Sequence, residues 1–266
     1  MLELYHNNMS VCAQKVRIVL AEKELKWKDN HLNLFKGEAR TEEYKKLNPN
    51  GVVPTLVTEN GTIIIESTVI TEYLDEAFSS PSLKPTTPYS KAAMRLWTKQ
   101  LDETIHASTA SVSNAIAFRH AHIEGKSEEE IKMHYDAIPD PIRRERLWDL
   151  AVNGIASKYF STSIFRFEKL FTDMEITLSE NKWLAGNDFS LADIAFIPYI
   201  TRFNHLNLLG LIDQRPNILS WYNRMRKRYS YKLAIEDRLE DNIINLMAEK
   251  GKDMLPKIRQ IINKGY

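Results

Sequence analysis

Along the first 79 residues, apolar positions switch between a period of two and a period near 3.6, the signatures of strand and helix faces. Leu2 to Tyr5 reads as a short strand and His6 to Met9 as a loop. Ser10 is the natural N-cap of a helix with Cys12, Val16, Val19 and Leu20 on one face and Lys15, Glu22 and Lys23 on the other. Trp27 to Leu34 is a second strand and Phe35 to Arg40 a loop. Thr41 to Leu47 is a short helix opened by Thr41, with Glu42 and Glu43 in its first turn. The order β-α-β-α is completed by β-β-α and closes near residue 79.

The last three of these elements come from Leu47 to Ser67, LNPNGVVPTLVTENGTIIIES. Asn48-Pro49-Asn50-Gly51 concentrates turn formers, so a turn ends just before Val52. Val52 to Val57 is an apolar, β-branched strand with Pro54 near its head. Proline has no N–H to give to a ladder, so it belongs on an edge or at a strand's first residue, and a cis Val53–Pro54 bond is expected. Glu59-Asn60-Gly61 is a hairpin turn, with Thr62 to Ile65 as the return strand. At Glu66-Ser67-Thr68 the period changes again, and Val69, Ile70, Tyr73, Leu74 and Phe78 fall on one helix face behind a Ser67 cap. Unpaired amides at the strand edge and at the helix start form a backbone cradle that can hold an extended peptide and its carboxylate. Each part also has a plain structural reading, Pro54 as an ordinary edge proline and Ser67 as a cap alone.

Ser79 to Pro88 holds three prolines in ten residues, which suits an extended linker. The expected division is therefore a domain over 1–79, a linker over 80–88 and a helical domain over 89–266. Helical periodicity runs from Tyr89 to about Phe118 and from about Arg143 to Leu178, with a short helix inside the long connection Ala121 to Pro141. In Leu184-Ala185-Gly186-Asn187-Asp188-Phe189-Ser190-Leu191-Ala192-Asp193-Ile194, Ser190 is placed to accept from the Asp193 amide while the Asp193 carboxylate reaches back, a variant capping box. Ile194 to Ile200 behind it should be buried. Arg224 to Arg228 is the densest basic run, read first as a solvated helix face and second as a docking site for an acidic partner. The amphipathic tail Leu239 to Tyr266, with Ile243, Ile244, Leu246 and Met247, either packs on the body or meets a partner.

Composition narrows the classes of function. Lys and Arg number 36 against 35 Asp and Glu, so no global field steers the chain toward nucleic acid or a membrane surface. The one cysteine, Cys12, rules out an internal disulfide framework, a CxxC redox pair and a Cys-rich zinc site. No stretch approaches the ~18 uninterrupted apolar residues of a membrane span. A cytoplasmic protein without a metal is expected.

The order NPxGxVPTL, a hairpin, then Glu-Ser and a helix resembles the glutathione site of the soluble glutathione transferases. The resemblance implies an α/β thioredoxin-like N-terminal domain followed by an all-α C-terminal domain, with glutathione as cosubstrate. It places a cis proline at Pro54, backbone pairing with the cysteinyl part of glutathione at Val53, and the γ-glutamyl end at Glu66 and Ser67. Ser10-x-Cys12-x-x-x-Val16-Arg17-Ile18 resembles the zeta pattern, in which the serine ahead of the first helix activates the thiol. Cys12 then aligns with a cysteine that forms a mixed disulfide with glutathione in some dehalogenases and isomerases, although a small buried apolar role is the favoured reading for it. Arg40 is implied at the glycyl carboxylate, with Lys36 as a substitute. LAGxxFSLADI resembles the helix cap of the C-terminal domain, where its role is folding.

Thiols are poorly ionised at neutral pH, so an enzyme using glutathione must favour the thiolate. A hydroxyl donor at a helix N-terminus can do so, helped by the dipole, and Ser10 fits by position. The expected function is a homodimeric transferase whose thiolate attacks a small apolar electrophile in a cleft between domains. Ser108, Ser111, Ala115 and Phe118, at helical spacing, are candidates to line that pocket. The second half of the chain looks most like the bacterial β-aryl-etherase branch, so β-aryl-ether cleavage, or a zeta-like isomerase or dehalogenase using Cys12, is the alternative. A non-catalytic transferase-like interaction module is the rival of another class.

Overall fold

A computed structural model describes residues 1–265, so Tyr266 of the amphipathic tail lies outside the described residues. Packing divides the chain into two units. One comprises residues 1–101, 176–198 and 217–240, and the other residues 102–175, 199–216 and 241 onward.

In the first unit, β1 (Leu2–His6), β2 (Trp27–His31), β3 (Thr55–Val57) and β4 (Ile63–Ile65) form one sheet in the order β2-β1-β3-β4. β1 pairs parallel with β2, Leu4 opposite Asp29, and antiparallel with β3, Leu4 opposite Leu56. β3 pairs antiparallel with β4. Leu2, Leu4 and His6 alternate into the core because a strand's side chains take opposite faces in turn. β2 is a polar edge that stops at His31 rather than Leu34. Beyond it Asn33 turns the chain, its N–H donating to Glu38 and its side-chain oxygen accepting from the Lys36 N–H. Leu32 and Leu34 instead pack on the Ala39, Tyr44 and Val53 cluster. β3 begins at Thr55, not Val52, and lies between β1 and β4. Pro54 therefore sits just ahead of an interior strand and not on a sheet edge.

α1 (Val11–Glu22) is covered on more than its apolar face, since α3 (Ser67–Ala77) and α12 (Tyr229–Ala234) both pack on it. Lys15 and Lys23, on the face opposite the apolar one, are accordingly buried. Lys15 donates to Thr68 Oγ1 (2.9 Å). Lys23 pairs with Asp75 (2.9 Å) and donates to the carbonyls of Phe78 (2.5 Å) and Pro81 (2.8 Å). That draws Asp75 inward, so α3 buries Ser67, Ile70, Thr71, Leu74 and Asp75 and leaves Val69 55% exposed, a face rotated from the expected one. The segment after α3 is tied down too, because the Leu83 N–H donates to Asp75 (2.8 Å) and its carbonyl accepts from the Leu191 N–H (2.9 Å). α2 (Glu42–Lys45) is opened by Thr41, and α4 (Pro88–Gln100) by Thr87 with proline in its first turn.

Beyond α4 the helical run continues through π-turns at Leu101–Ile105 and Asn114–Phe118, which bracket α5 (His106–Ser113), into α6 (Arg119–Ile123). The connection expected over 121–141 contains α7 (Glu128–Asp136), opened by a complete Ser127–Glu130 capping box. α8 (Pro141–Asn153) and α9 (Lys158–Glu180) follow. α10 (Leu191–His205) and α11 (Pro216–Arg226) come next, and α13 (Asp241–Gly251) and α14 (Met254–Lys264) complete the described chain. The tail packs within the second unit: Met247 and Ile258 are buried, and Gly251 lies so close to the Leu206 carbonyl that a Cβ would stand 1.9 Å from its oxygen.

Candidate functional site

Ser10, Cys12, Arg40, Val53, Pro54, Glu66 and Ser67 all lie in the first unit, on or beside three loops that meet its sheet. The first loop runs from Asn7 to Ser10. Asn7 Oδ1 accepts from the Met9 N–H (2.9 Å) and the Asn7 carbonyl from the Ser10 N–H (3.2 Å), which turns the chain into α1. Ser10 holds the N-cap position, its extended backbone leaving Oγ to accept from the Ala13 N–H at 3.3 Å. That bond uses a lone pair. Among the described residues the Ser10 hydroxyl proton has no acceptor, so it is available to a group beyond the helix end. Cys12, in no disulfide, is half-buried in the first turn of the same helix.

The second loop is Asn48 to Pro54. Tyr44 gives its proton to the Val52 carbonyl (2.8 Å), so Thr55 Oγ1, also 2.8 Å away, donates to the Tyr44 oxygen. Asn48 Nδ2 also donates to the Val52 carbonyl (2.9 Å). Burial pushes the Tyr44 hydroxyl up to about 12, which keeps that donor protonated. Gly51, at φ +60, brings its α-carbon against the Ala39 carbonyl and the Arg40 side chain, where a Cβ would lie 3.2 and 3.7 Å away. Arg40, half-buried at the end of the 3-10 turn Glu38–Arg40, is thus placed beside this loop. Lys36 is exposed. The Val53 side chain faces the Tyr44 cluster and the Val53–Pro54 bond is cis. Among the described residues neither the Val53 N–H nor its C=O has a partner, so both remain open for backbone pairing.

The third loop joins β4 to α3. Glu66, not Ser67, occupies the N-cap position, at φ +70 and without a side-chain capping bond. A left-handed glutamate is uncommon, and here it turns the chain so that Ser67 becomes the first helical residue, 6% exposed. Ser67's N–H, at the positive end of the α3 dipole, is unpaired among the described residues.

Beneath the first loop lies a polar network that periodicity did not reveal. Arg17, 2% exposed, donates to the carbonyls of Asn7 (3.1 Å), Asn8 (2.9 Å) and Ala234 (2.9 and 2.8 Å), and to His6 Nδ1 (3.0 Å). A guanidinium can only donate, so His6 Nδ1 accepts and Nε2 carries the proton, which goes to Asp29 at 2.5 Å. Asp29 also accepts from Arg238 (2.6 Å). Burial, then the Arg17 charge, depresses the His6 imidazole to about 4, so the ring is neutral. Burial likewise lowers Arg17 to about 9, still cationic at neutral pH. The signals in the sequence were the place of Arg17 in the zeta-like pattern and its setting among the apolar Val16, Ile18 and Val19.

Asp193 and the arginines of the basic run are engaged in structure. Asp193 accepts from the N–H groups of Leu184 and Ser190 (both 3.0 Å), from Trp221 Nε1 (2.8 Å) and from the Ser190 hydroxyl (3.3 Å). Ser190 Oγ accepts from the Ala192 amide and not from that of Asp193. Burial outweighs those donors and pushes Asp193 up to about 6. The three arginines of the basic run are engaged within the chain, and Lys227 is exposed. Arg224 donates to the Lys182 carbonyl (2.6 Å), Arg226 pairs with Glu236 (3.5 Å), and Arg228 grips Glu22 through two bonds of 2.7 Å with its guanidinium 3.7 Å from the Phe189 ring. In the second unit Ser108, Ser111 and Ala115 are buried, and Phe118 stacks under Arg202.

Comparison with known proteins gives the family of the chain. Residues 9–77 match the N-terminal domain of glutathione S-transferases and residues 166–228 their C-terminal domain. Glutathione S-transferase 2 of Saccharomyces cerevisiae is 30% identical over 226 residues, covering 84% of this chain and 85% of the relative. The chain belongs to the glutathione S-transferase family. Its thioredoxin-like and helical halves are those of the family, and its cosubstrate is glutathione. The transferase is also 29% identical to Protein LigF of Sphingobium sp. over 259 residues, 94% of this chain and 98% of that one. The crystal structure of the Sphingobium β-etherase LigF superposes with a TM-score of 0.79 at 28% identity, covering 89% of this chain and 99% of that one.

Proposed function

We propose that glutathione lies with its cysteinyl backbone paired to Val53, its γ-glutamyl end at Glu66 and the α3 N-terminus, its glycyl carboxylate at Arg40, and its sulfur at the Ser10 hydroxyl. The observation that carries this reading is the unspent Ser10 proton. A hydroxyl whose oxygen is fixed by the Ala13 N–H, at the positive end of α1, is oriented to donate to a thiolate. The sulfur then attacks a small apolar electrophile, forming a C–S bond as the leaving group departs with its bonding pair. A homodimer in the cytoplasm is the setting proposed for it, and no helix among the described residues is long and apolar enough to cross a membrane.

The likeness to a β-etherase favours one electrophile in particular, a β-aryl ether. There the sulfur displaces the carbon-bound aryl oxide, which leaves with the electron pair and takes up a proton. Turnover of an aryl halide, a β-aryl ether, a peroxide and a maleyl compound by the wild type, Ser10→Ala and Cys12→Ala tests both points. Loss in Ser10→Ala alone supports thiolate stabilisation, whereas loss in Cys12→Ala alone moves the chemistry to a mixed disulfide on Cys12. Absence of any glutathione binding at millimolar concentration would favour a non-catalytic module.

A further inference from the structure

The second unit contains a cavity of about 310 Å³ where α5, α8 and the start of α9 meet. Ser111, Arg146, Lys158, Thr162 and Arg166 line its polar side, and Ala107 and Ile142 its apolar side. Three cations therefore converge on one small space. None of the three forms an ion pair among the described residues, and the buried Arg146 Nε has no hydrogen-bond partner there.

The carboxylates of α8 and its N-cap are already engaged. Glu145 accepts from the Tyr159 hydroxyl (2.8 Å), Asp149 accepts from Ser157 and Asn153, and Asp140 caps α8 through the Ile142 N–H (2.9 Å). Burial, then the Arg143 charge, lowers the Arg146 guanidinium below its ordinary value; Arg166 adds to this, and Asp140 and Tyr159 offset it only in part. Leaving a buried guanidinium N–H unpaired is costly, and an anion in the cavity would remove that cost.

We propose that this cavity binds a small organic carboxylate carrying a single apolar ring. A planar carboxylate matches the guanidinium fork, Lys158 and Arg166 supply further charge, and Ala107 and Ile142 take the ring. The volume lies at the low end of ligand pockets, which limits the occupant to about one ring. The proposal is independent of glutathione binding, which uses residues of the other unit.

Calorimetric titration of the full chain with benzoate, benzyl alcohol and inorganic phosphate tests it. Benzoate should bind saturably with one site per chain and benzyl alcohol should not. Arg146→Met should weaken benzoate roughly 10-fold or more, the worth of a charge-assisted hydrogen bond. Arg166→Met, at an exposed position that the fold does not need, should weaken it as well, and glutathione affinity in both variants reports an intact fold. No saturable benzoate binding, unchanged affinity in Arg166→Met, or phosphate bound as tightly as benzoate would each overturn the assignment.

Discussion

A hydroxyl has one proton and two lone pairs, and Ser10 divides them between structure and chemistry. Capping consumes a lone pair through the Ala13 N–H and leaves the proton, so the two roles do not compete. Ser10→Ala should lower kcat/KM about 100- to 1,000-fold, the usual loss on removing one oriented donor to a developing anion, and unfold about 1 kcal/mol more easily through the lost cap. Steady-state kinetics together with urea unfolding separate the two effects. Ser67→Ala should instead leave stability nearly unchanged and raise the glutathione Kd roughly 10-fold if its side chain grips the γ-glutamyl end. Calorimetry reads this, and an unchanged Kd would remove Ser67 from the site. The loops that carry Ser10, Pro54, Glu66 and Ser67 were legible in the sequence because turn, cap and strand signals are local, whereas their roles toward glutathione came from the family resemblance. The position of the α3 cap was not. Nothing in a glutamate side chain announces a left-handed backbone, so the cap was expected at Ser67 and stands at Glu66.

At the scale of elements, the Arg17 guanidinium is the joint between α1, the loop that presents Ser10, and α12. Arg17→Met should cost about 3–5 kcal/mol, because the carbonyls of Asn7, Asn8 and Ala234 lose their donor together. Arg17→Lys, which keeps the charge but not the fork, should fall between. Urea midpoints check both, and a loss below about 1 kcal/mol would mean that these contacts are incidental. Periodicity had set Lys15, Glu22 and Lys23 on the face of α1 opposite the apolar one. It separates polar from apolar positions, but it cannot show that residues 217–240 return to cover that side, nor that Asp75 swings inward to meet Lys23. The basic run Arg224 to Arg228 misled for the same reason. Its partners, Glu22, Glu236 and the Lys182 carbonyl, lie on segments that only tertiary packing brings close.

For the whole molecule, two buried histidines couple stability to pH. His6, depressed to about 4 by burial and Arg17, and His205, depressed to about 3 by burial and Arg202, both titrate near 6.5 when unfolded. Unfolding therefore takes up protons below about 6.5, and stability falls as the pH drops through that window. Asp193, raised to about 6, acts in the opposite sense, because its burial is easier once protonated. The balance is a net loss of roughly 2–3 kcal/mol between pH 7.5 and 5. Urea unfolding at the two pH values measures it, and equal stability at both would contradict the buried neutral imidazoles. The linker was legible as a proline-rich segment, but its anchoring to Lys23 and Asp75 was not.

The ionisation of bound glutathione, followed by the ultraviolet absorbance of the thiolate as pH is varied, tests the central claim most directly. In the wild type the sulfur should titrate at least one unit below the ~8.5 of a free thiol. In Ser10→Ala it should return toward that value while glutathione remains bound. An equally depressed thiol in both proteins would show that the hydroxyl ahead of α1 does not stabilise the thiolate.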